Sequence, residues 1–578
     1  MKTARRNKDP KTKSAVSSGG AKSQRLYVYA PVLSVVIVFW IYWPAVDGPF
    51  LFDDEYLPFQ DPKFLAAHIK TIVSSQRPLM NLSFWVNGAL FGLDPFSYHL
   101  INIALHLVNG LLLYLILKKL IETARPEEAL SKPIAALAAL LFLVHPVHTE
   151  SVAYVAGRSE CLSLVSFLGA FLLFLKKREA GITWLSSAGI LALFAAAILS
   201  KEHTAVLPAL LLFTDMFFSP GAVTSGLRRN WRLYAPLSAM AALGAFFVWR
   251  VLAAADTAGF AMKELPWHHY FFTQWRAIWI YIKLFFLPVG LNADYDFPIS
   301  RGPLDHGAVF GLIGLIALLA VAFCYRKRFP LAFYGLVAFL VLLAPTSSVA
   351  PIKDPVAERR LYLPFLGLLL IVCEGVRRWR APRLQQFALA GCALAALSGL
   401  THARSTVWGN PLLLWEDTVR KSPGNSRAHF QLAMVHYTSG RCAEALKEFE
   451  QAAKTGGRDH RLLVDWGLAF DCLRQPDAAL EKFREAVALD NTAHVRSLMG
   501  MVLAKKGLTG AALDELDLAE RIDPNYDMTY FYRGNIYRMR QDWEKAEANY
   551  RQALRLNQQN QVALQALAAV EKEKGGAR

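Results

Sequence analysis

Apolar positions in the first two-thirds of this chain neither alternate nor spiral; they come in long runs separated by short polar breaks. A membrane-crossing helix needs about 20 mostly apolar residues. Eleven runs approach that length, at 27–46, 98–117, 133–150, 160–175, 183–199, 204–218, 233–252, 307–325, 331–349, 361–376 and 384–402. A twelfth, 271–288 (FFTQWRAIWIYIKLFFLP), is richer in Trp, Tyr, Arg and Lys. That mixture suits an interfacial or re-entrant helix, so it is set apart from the spans.

After residue 402 the pattern turns polar, helix-friendly and periodic. Small residues recur at Ala433, Gly467, Gly500 and Gly534, and alanines at Ala445, Ala479, Ala512 and Ala546. Bulkier residues recur at Phe449, Phe483, Leu516 and Tyr550, followed by Ala452, Ala486, Ala519 and Ala553. Every column is spaced by 34, 33 and 34 residues. This is the tetratricopeptide period, in which small residues let two helices pack closely and a larger one fills the gap. Trp415 and Pro423 extend the pattern one period upstream. The expected organisation is a basic arm (1–25), a transmembrane domain (26–402), a linker with a degenerate half-repeat (403–425), four repeats (426–560), and a capping helix with tail (561–578). The fold class is all-α, a polytopic helix bundle followed by an α-solenoid.

Composition sharpens this picture. Hydrophobic residues make up 54% of the 578 and charged residues 19%, below the usual quarter. A net charge of +17 raises the question of nucleic acid. The cations argue against it, because they sit in short clusters between apolar runs: Lys118–Lys119, Lys176–Arg178, Arg228–Arg232, Arg326–Arg328 and Arg377–Arg380. With a cytoplasmic N-terminus, eleven spans place every one of these clusters on the cytoplasmic side, as the positive-inside rule requires. The same parity sends 47–97, 150–160, 200–203, 253–306, 350–360 and everything after 402 outward. The first 25 residues carry eight Lys/Arg and read as a disordered cytoplasmic arm. Leu26–Trp43 reads as an uncleaved signal anchor. Six scattered cysteines without a CxxC pair indicate neither a zinc site nor a disulfide framework.

The outward segments hold the unusual polar residues. Asp53 and Asp54 (FLFDDEY) follow the first span between apolar flanks. A pair of loop acids can be merely solvated, but a carboxylate at the membrane interface can also act as general base toward an acceptor hydroxyl. LVHPVHTESVAYVAGRSE gathers His145, His148, Glu150, Arg158 and Glu160. Its H-x-x-H-x-E spacing admits a metal, a polar cap between helices, or the wall of a polar substrate pocket. Lys201, Glu202 and His203 interrupt two apolar runs, as a plain hairpin turn would also do. Glu358, Arg359 and Arg360 stand outside against the positive-inside trend, and arginines there can grip phosphate oxygens. Arg77, with the stripe His99, Asn102 and His106, adds polar groups to a span face.

FLFDDEY, SQRPLMN, YHLINIALH, HPVHTESVAYVAGRSE, SKEHTAVLP, LNADYDFP, AERRLYLP and the repeats occur together over about residues 50–560. In that set and order the chain resembles the transmembrane and tetratricopeptide-repeat family of protein O-mannosyltransferases, within the GT-C glycosyltransferases. The resemblance implies a GT-C fold and a polyprenyl-phosphate-linked mannose donor (dolichyl phosphate in eukaryotes). It also implies inversion at the anomeric carbon and Ser/Thr acceptors. It assigns catalysis to Asp53 and Asp54. The donor-phosphate and substrate pocket then falls to Arg77, His99, His145, His148, Glu150, Arg158, Glu160, Lys201, Glu202, Glu358, Arg359 and Arg360. No metal ligand set is assigned, and a divalent metal stays open.

The reading is therefore a membrane glycosyltransferase whose repeats bind a protein acceptor. It is expected in a bacterial inner membrane, or in the endoplasmic reticulum of a eukaryote. Two alternatives stand beside it: a GT-C enzyme with a lipid or glycan acceptor, and an inactive membrane-anchored repeat scaffold.

Overall fold

A computed structural model describes residues 19–576 apart from 61–63, 65–68, 129, 220–223, 255–258, 261 and 263. Most of the basic arm expected over 1–25 lies outside the described residues. Among those described, no strand forms and the chain is all-α. It divides into two compact units. One comprises residues up to 289, 300–353 and 358–409; the other comprises 290–299, 354–357 and 410–578.

The first unit contains α1 (Gly19–Val46), α2 (Pro78–Phe91), α3 (Pro95–Ala124), α4 (Ser131–Leu143), α5 (Arg158–Lys177), α6 (Trp184–Ser200), α7 (Leu207–Phe218), α8 (Trp231–Ala254), α9 (Trp267–Phe286), α10 (Ala308–Cys324), α11 (Pro330–Leu343), α12 (Phe365–Arg378) and α13 (Arg383–Trp408). Each of the eleven apolar runs falls on one of these helices. Length and composition qualify four as full spans: 95–124, 155–177, 305–324 and 383–408. The rest are shorter or interrupted, for identifiable reasons. The 133–150 run breaks at Val144–Pro146 and bends by 49°, because Pro146 cannot supply the next helical N–H. The 204–218 run spends its start in a 3-10 turn, leaving α7 only 12 residues, roughly 18 Å. The segment set apart at 271–288 is part of one continuous 20-residue helix, α9. Gly311 and Gly314 of α10 let it approach Trp275 and Trp279.

Small residues close the bundle, as membrane packing favours. A Cβ on Gly409 would stand 2.2 Å from the Pro44 carbonyl, where α1 meets the end of α13. A Cβ on Gly367 would stand 2.4 Å from the Gly335 carbonyl, between α11 and α12.

The second unit begins with α14 (Pro411–Lys421) and continues as helix pairs α15/α16 (Ser426–Thr438, Cys442–Gly456), α17/α18 (His460–Cys472, Pro476–Leu489), α19/α20 (Ala493–Lys505, Thr509–Ile522) and α21/α22 (Asp527–Met539, Trp543–Leu556), ending in α23 (Gln561–Gly576). The repeat columns meet as their chemistry requires. Gly467 faces Phe483, Gly500 faces Leu516 and Gly534 faces Tyr550, each so closely that a Cβ would lie 2.5–2.8 Å away. One expectation is overturned here: Cys442 and Cys472 form a disulfide. Their 30-residue separation hides the pairing, but stacking α17 on α16 brings their Cα atoms within 6.3 Å.

Candidate active site

The turn Phe52–Tyr56 follows α1 and is held by Asp54. The buried Asp54 carboxylate accepts from Leu51 N–H (3.1 Å) and, 102 residues away, from Ala156 N–H (2.7 Å). Burial outweighs these donors and, aided by the Asp53 charge, lifts the Asp54 carboxyl to about 8. Asp53 is exposed, and its backbone N–H donates to Tyr154 Oη (2.8 Å). Phe52 is forced to φ +51°, the left-handed region that a bulky residue avoids. Such strain costs about 1–3 kcal/mol and persists where the surroundings over-determine it, often at functional sites. The adjacent acids thus differ in place: Asp54 anchors the turn and Asp53 faces outward.

Three acid–base pairs stand with this turn. Arg77, at the start of α2, donates Nε and Nη2 to Glu202 (2.9 and 3.1 Å). Lys201 Nζ lies 2.5 Å from Glu160 Oε1 and donates to Ser159 Oγ (3.2 Å), while His203 approaches the other Glu160 oxygen at 3.7 Å. Glu150 accepts from Arg359 twice, from the backbone N–H at 2.7 Å and from the guanidinium. Burial holds the Lys201 ammonium below its usual range, with Glu160 opposing. Arg77 outweighs burial and holds Glu202 below the usual carboxylate range. The pairs are one electrostatic cluster, because Arg359 acts on Tyr154, Glu160, Lys201 and Arg77. Lys201 and Glu202 each pair with a residue from another part of the bundle, where a plain hairpin turn would leave them solvated.

Not every residue singled out from the sequence reaches this face. Arg158 is fully buried at the start of α5. It donates to Asn102 Oδ1 (3.1 Å), Asn87 Oδ1 (2.9 Å) and the Tyr98 carbonyl (2.8 Å), under the Phe84 ring. It braces α2 against α3 and contacts no open space. His145 donates from Nε2 to the Phe285 carbonyl (3.0 Å) and accepts at Nδ1 from Val147 N–H (3.3 Å), which fixes its tautomer. His148 is buried among Phe142, Tyr362 and Phe365. His99 is buried on α3. These four are interior packing residues rather than pocket walls in this structure. Glu358 and Arg360 are also buried; Arg360 donates to Tyr270 Oη (3.0 Å) and the Thr346 carbonyl (3.3 Å). Among the described residues no three His, Cys, Asp or Glu side chains are grouped to hold a metal. The H-x-x-H-x-E spacing gathers no ligand set, since His145 caps a turn, His148 faces rings and Glu150 holds Arg359.

An apolar groove of about 420 Å³ adjoins the cluster, walled by Phe194, Ile198, Val206, Met240, Ala245 and Pro345 among others. Val206 ends the same turn that begins with Glu202, and Pro345 precedes Thr346, which binds Arg360. The groove is thus joined to the charged face along the Glu202–Val206 turn, and its other wall leads to the buried Arg360. Sequence reasoning overlooked two members, Tyr154 and Tyr270. Tyr154 stood inside a quoted motif and was readable as a polar tip among apolar residues. Tyr270 reaches Arg360 across 90 residues, which no local signal reveals.

With this geometry in place, known proteins that resemble the chain fall into two groups. Tetratricopeptide-repeat models match residues 412–460 and 528–560. The chain is a helical membrane protein with a tetratricopeptide array. It is similar to "Protein O-mannosyl-transferase Tmtc3" of Drosophila melanogaster, 27% identical over 83% of this chain and 57% of that one. It is similar also to a protein O-mannosyl-transferase of Caenorhabditis elegans (26%, covering 77% and 65%) and to human "Protein O-mannosyl-transferase TMTC3" (24%, covering 90% and 60%). The family resemblance carried by the motifs therefore extends along most of the chain. The chain spans less than two-thirds of the length of these relatives.

Proposed function

We propose that this protein is a membrane glycosyltransferase that moves a mannosyl group from a polyprenyl-phosphate donor to Ser/Thr hydroxyls of an extracytoplasmic protein. The observation that carries the reading is the exposed Asp53 on a strained, Asp54-anchored turn, coupled through Tyr154 to the Arg359 charge of a cluster of acid-paired cations, with an apolar groove beside that cluster. The groove suits a polyprenyl tail, and the adjoining Arg77, Lys201 and Arg359 suit its phosphate. The names of the relatives supply the sugar and the acceptor class.

In this mechanism the acceptor oxygen attacks the anomeric carbon from the face opposite the phosphate. The C1–O bond to phosphate breaks, and its electron pair leaves on the polyprenyl phosphate. The hydroxyl proton passes to the Asp53 carboxylate, and the configuration inverts. Charge developing on the leaving phosphate is met by cations already fixed by their carboxylate partners, so little reorganisation is needed. Glu150, Glu160 and Glu202 position those cations. The repeats grip the acceptor in their concave groove. The N-terminus is cytoplasmic, and the repeats lie outside the cytosol, of a bacterial inner membrane or in the endoplasmic reticulum of a eukaryote. The Cys442–Cys472 disulfide supports that placement, since such bonds persist in oxidising compartments.

The test is transfer by purified protein in nanodiscs, from polyprenyl-phosphate mannose to a Ser/Thr-rich peptide. Transfer by wild type that is lost in Asp53→Asn is the expected result. Transfer that persists unchanged in both Asp53→Asn and Asp54→Asn would sink the assignment of chemistry to this turn. Activity only toward lipid or glycan acceptors would replace the protein acceptor. No transfer by wild type to any of these acceptors would leave the scaffold reading.

A further inference from the structure

Two loops that lie in sequence between membrane helices fold with the repeat unit: 290–299 and 354–357. Their attachment runs through the first helices of the array. Asn292 Nδ2 donates to Ser422 Oγ (2.7 Å), and the same hydroxyl oxygen accepts from Asp296 N–H (3.0 Å). Lys421 Nζ donates to the Leu291 carbonyl (2.6 Å). Gly424 makes room, since a Cβ there would stand 2.4 Å from the Asp296 carboxylate. One side chain ties both loops at once. Arg427 donates Nε to Asp294 (2.6 Å) and Nη2 to Asp354 (2.8 Å).

Arg427 is out of place by helix electrostatics. It occupies the first turn of α15, where the macrodipole disfavours a cation. Its two carboxylates supply the reason for its presence there, and together they hold the guanidinium charged against the cost of burial. The geometry of the fork also matters. A planar guanidinium can reach two carboxylates with separate N–H groups, which a lysine ammonium does not reproduce.

The consequence lies along the chain. Asp354 is four residues before Glu358, and a fully extended segment of that length spans at most roughly 14 Å. Next in sequence, Arg359 is held by Glu150 in the candidate active site, and the buried Arg360 by Tyr270. We infer that Arg427 is a positioning residue: the first repeat clamps the 354–357 loop and thereby fixes the basic segment that receives the donor phosphate. The tetratricopeptide array is then more than an acceptor handle. Its first repeat sets donor geometry. This inference rests on the proposed glycosyl transfer for its catalytic consequence, but the clamp itself can be tested without activity.

The experiment uses the full chain in nanodiscs, comparing wild type with Arg427→Gln, Arg427→Lys, Asp354→Asn and Asp294→Asn. Hydrogen exchange read by mass spectrometry should rise about tenfold or more in peptides covering 290–299 and 354–362 for Arg427→Gln, while 460–556 stays protected. Asp354→Asn should loosen the second loop alone, and Asp294→Asn the first. Arg427→Lys should recover only part of the protection. Unchanged exchange in 354–362, or a rise spread evenly over the array, would overturn the clamp. In the transfer assay the donor KM should increase about fivefold or more in Arg427→Gln and Asp354→Asn, with the acceptor KM unmoved. An unaltered donor KM would overturn the positioning role. Absence of transfer by wild type would count against the proposed function, and the exchange arm would still decide the clamp.

Discussion

The two neighbouring aspartates illustrate how much a single residue's surroundings decide. Asp54 is tied by two backbone N–H groups, so Asn in its place turns one acceptor into a donor facing a donor. That should cost about 1–3 kcal/mol. Asp53→Asn leaves both of these hydrogen bonds in place. We therefore expect Asp53→Asn to leave the melting temperature within a degree or two while lowering kcat by about 10²–10⁴. Asp54→Asn should lower melting temperature and activity together. The two variants are separated by thermal melting and transfer rate on the same preparations, and equal behaviour in both assays would refute the division of labour. Asp54 also makes stability depend on pH. Burial pushes its folded-state carboxyl up to about 8, well above the ordinary aspartate range, so the folded chain holds a proton that the unfolded chain releases. The contribution is present in full below about 4 and is lost as pH rises through 8. The melting temperature of wild type should accordingly fall more steeply between pH 5 and 8.5 than that of Asp54→Asn, and parallel slopes would disprove it. The sequence marked this pair by its apolar flanks, but nothing in FDDEY says which acid is inward. That is settled by Ala156, 102 residues away. For the same reason Arg158 and His145 read as pocket residues. Their partners Asn87, Asn102 and Phe285 come from other helices, and only the fold shows those side chains already engaged.

Elements were legible where their signal is local and periodic. The repeat columns predicted which small residue meets which large one, and Gly467 against Phe483 is that prediction realised. Substituting Gly467 by Val should force Phe483 off its rotamer and cost about 1–3 kcal/mol, read as a lower unfolding midpoint of the repeats. A midpoint equal to wild type would mean that this close approach is not required. The membrane helices were legible as apolar runs but not as lengths. Proline and 3-10 turns cut 133–150, 204–218 and 331–349 short, and those breaks are where His145, Lys201 and Thr346 stand. A run of hydrophobicity reports that residues are buried or lipid-facing. It does not report where the helix ends inside it. The disulfide was illegible for a different reason: it joins the second helix of one repeat to the first of the next, and pairing follows from superhelical stacking rather than from cysteine spacing. By chain entropy, closing this loop stabilises the array by about 3–4 kcal/mol. Cys442→Ser with Cys472→Ser should therefore melt markedly earlier than wild type under non-reducing conditions, and the difference should vanish in dithiothreitol.

At the scale of the molecule, the proposed sidedness draws on three independent features. The basic clusters favour one face as the cytoplasmic one by charge. The proposed transfer needs the acid–base cluster on a face open to a protein acceptor. The Cys442–Cys472 bond requires an oxidising compartment. The proposed function puts the repeats outside the cytosol, opposite Arg326–Arg328 and Arg377–Arg380. Among the described residues four helices qualify outright as spans, so counting helices alone cannot replace this argument. Protease added to sealed right-side-out vesicles should release the repeats, and a fragment joined by the disulfide should run as one band until reduced. In the same vesicles a membrane-impermeant thiol reagent should label neither Cys442 nor Cys472 before reduction and both after it. If the repeats were instead protected, with both cysteines free, the repeats would face a reducing cytosol. An extracytoplasmic acceptor held by them would then be ruled out, whatever the chemistry of the Asp53 turn.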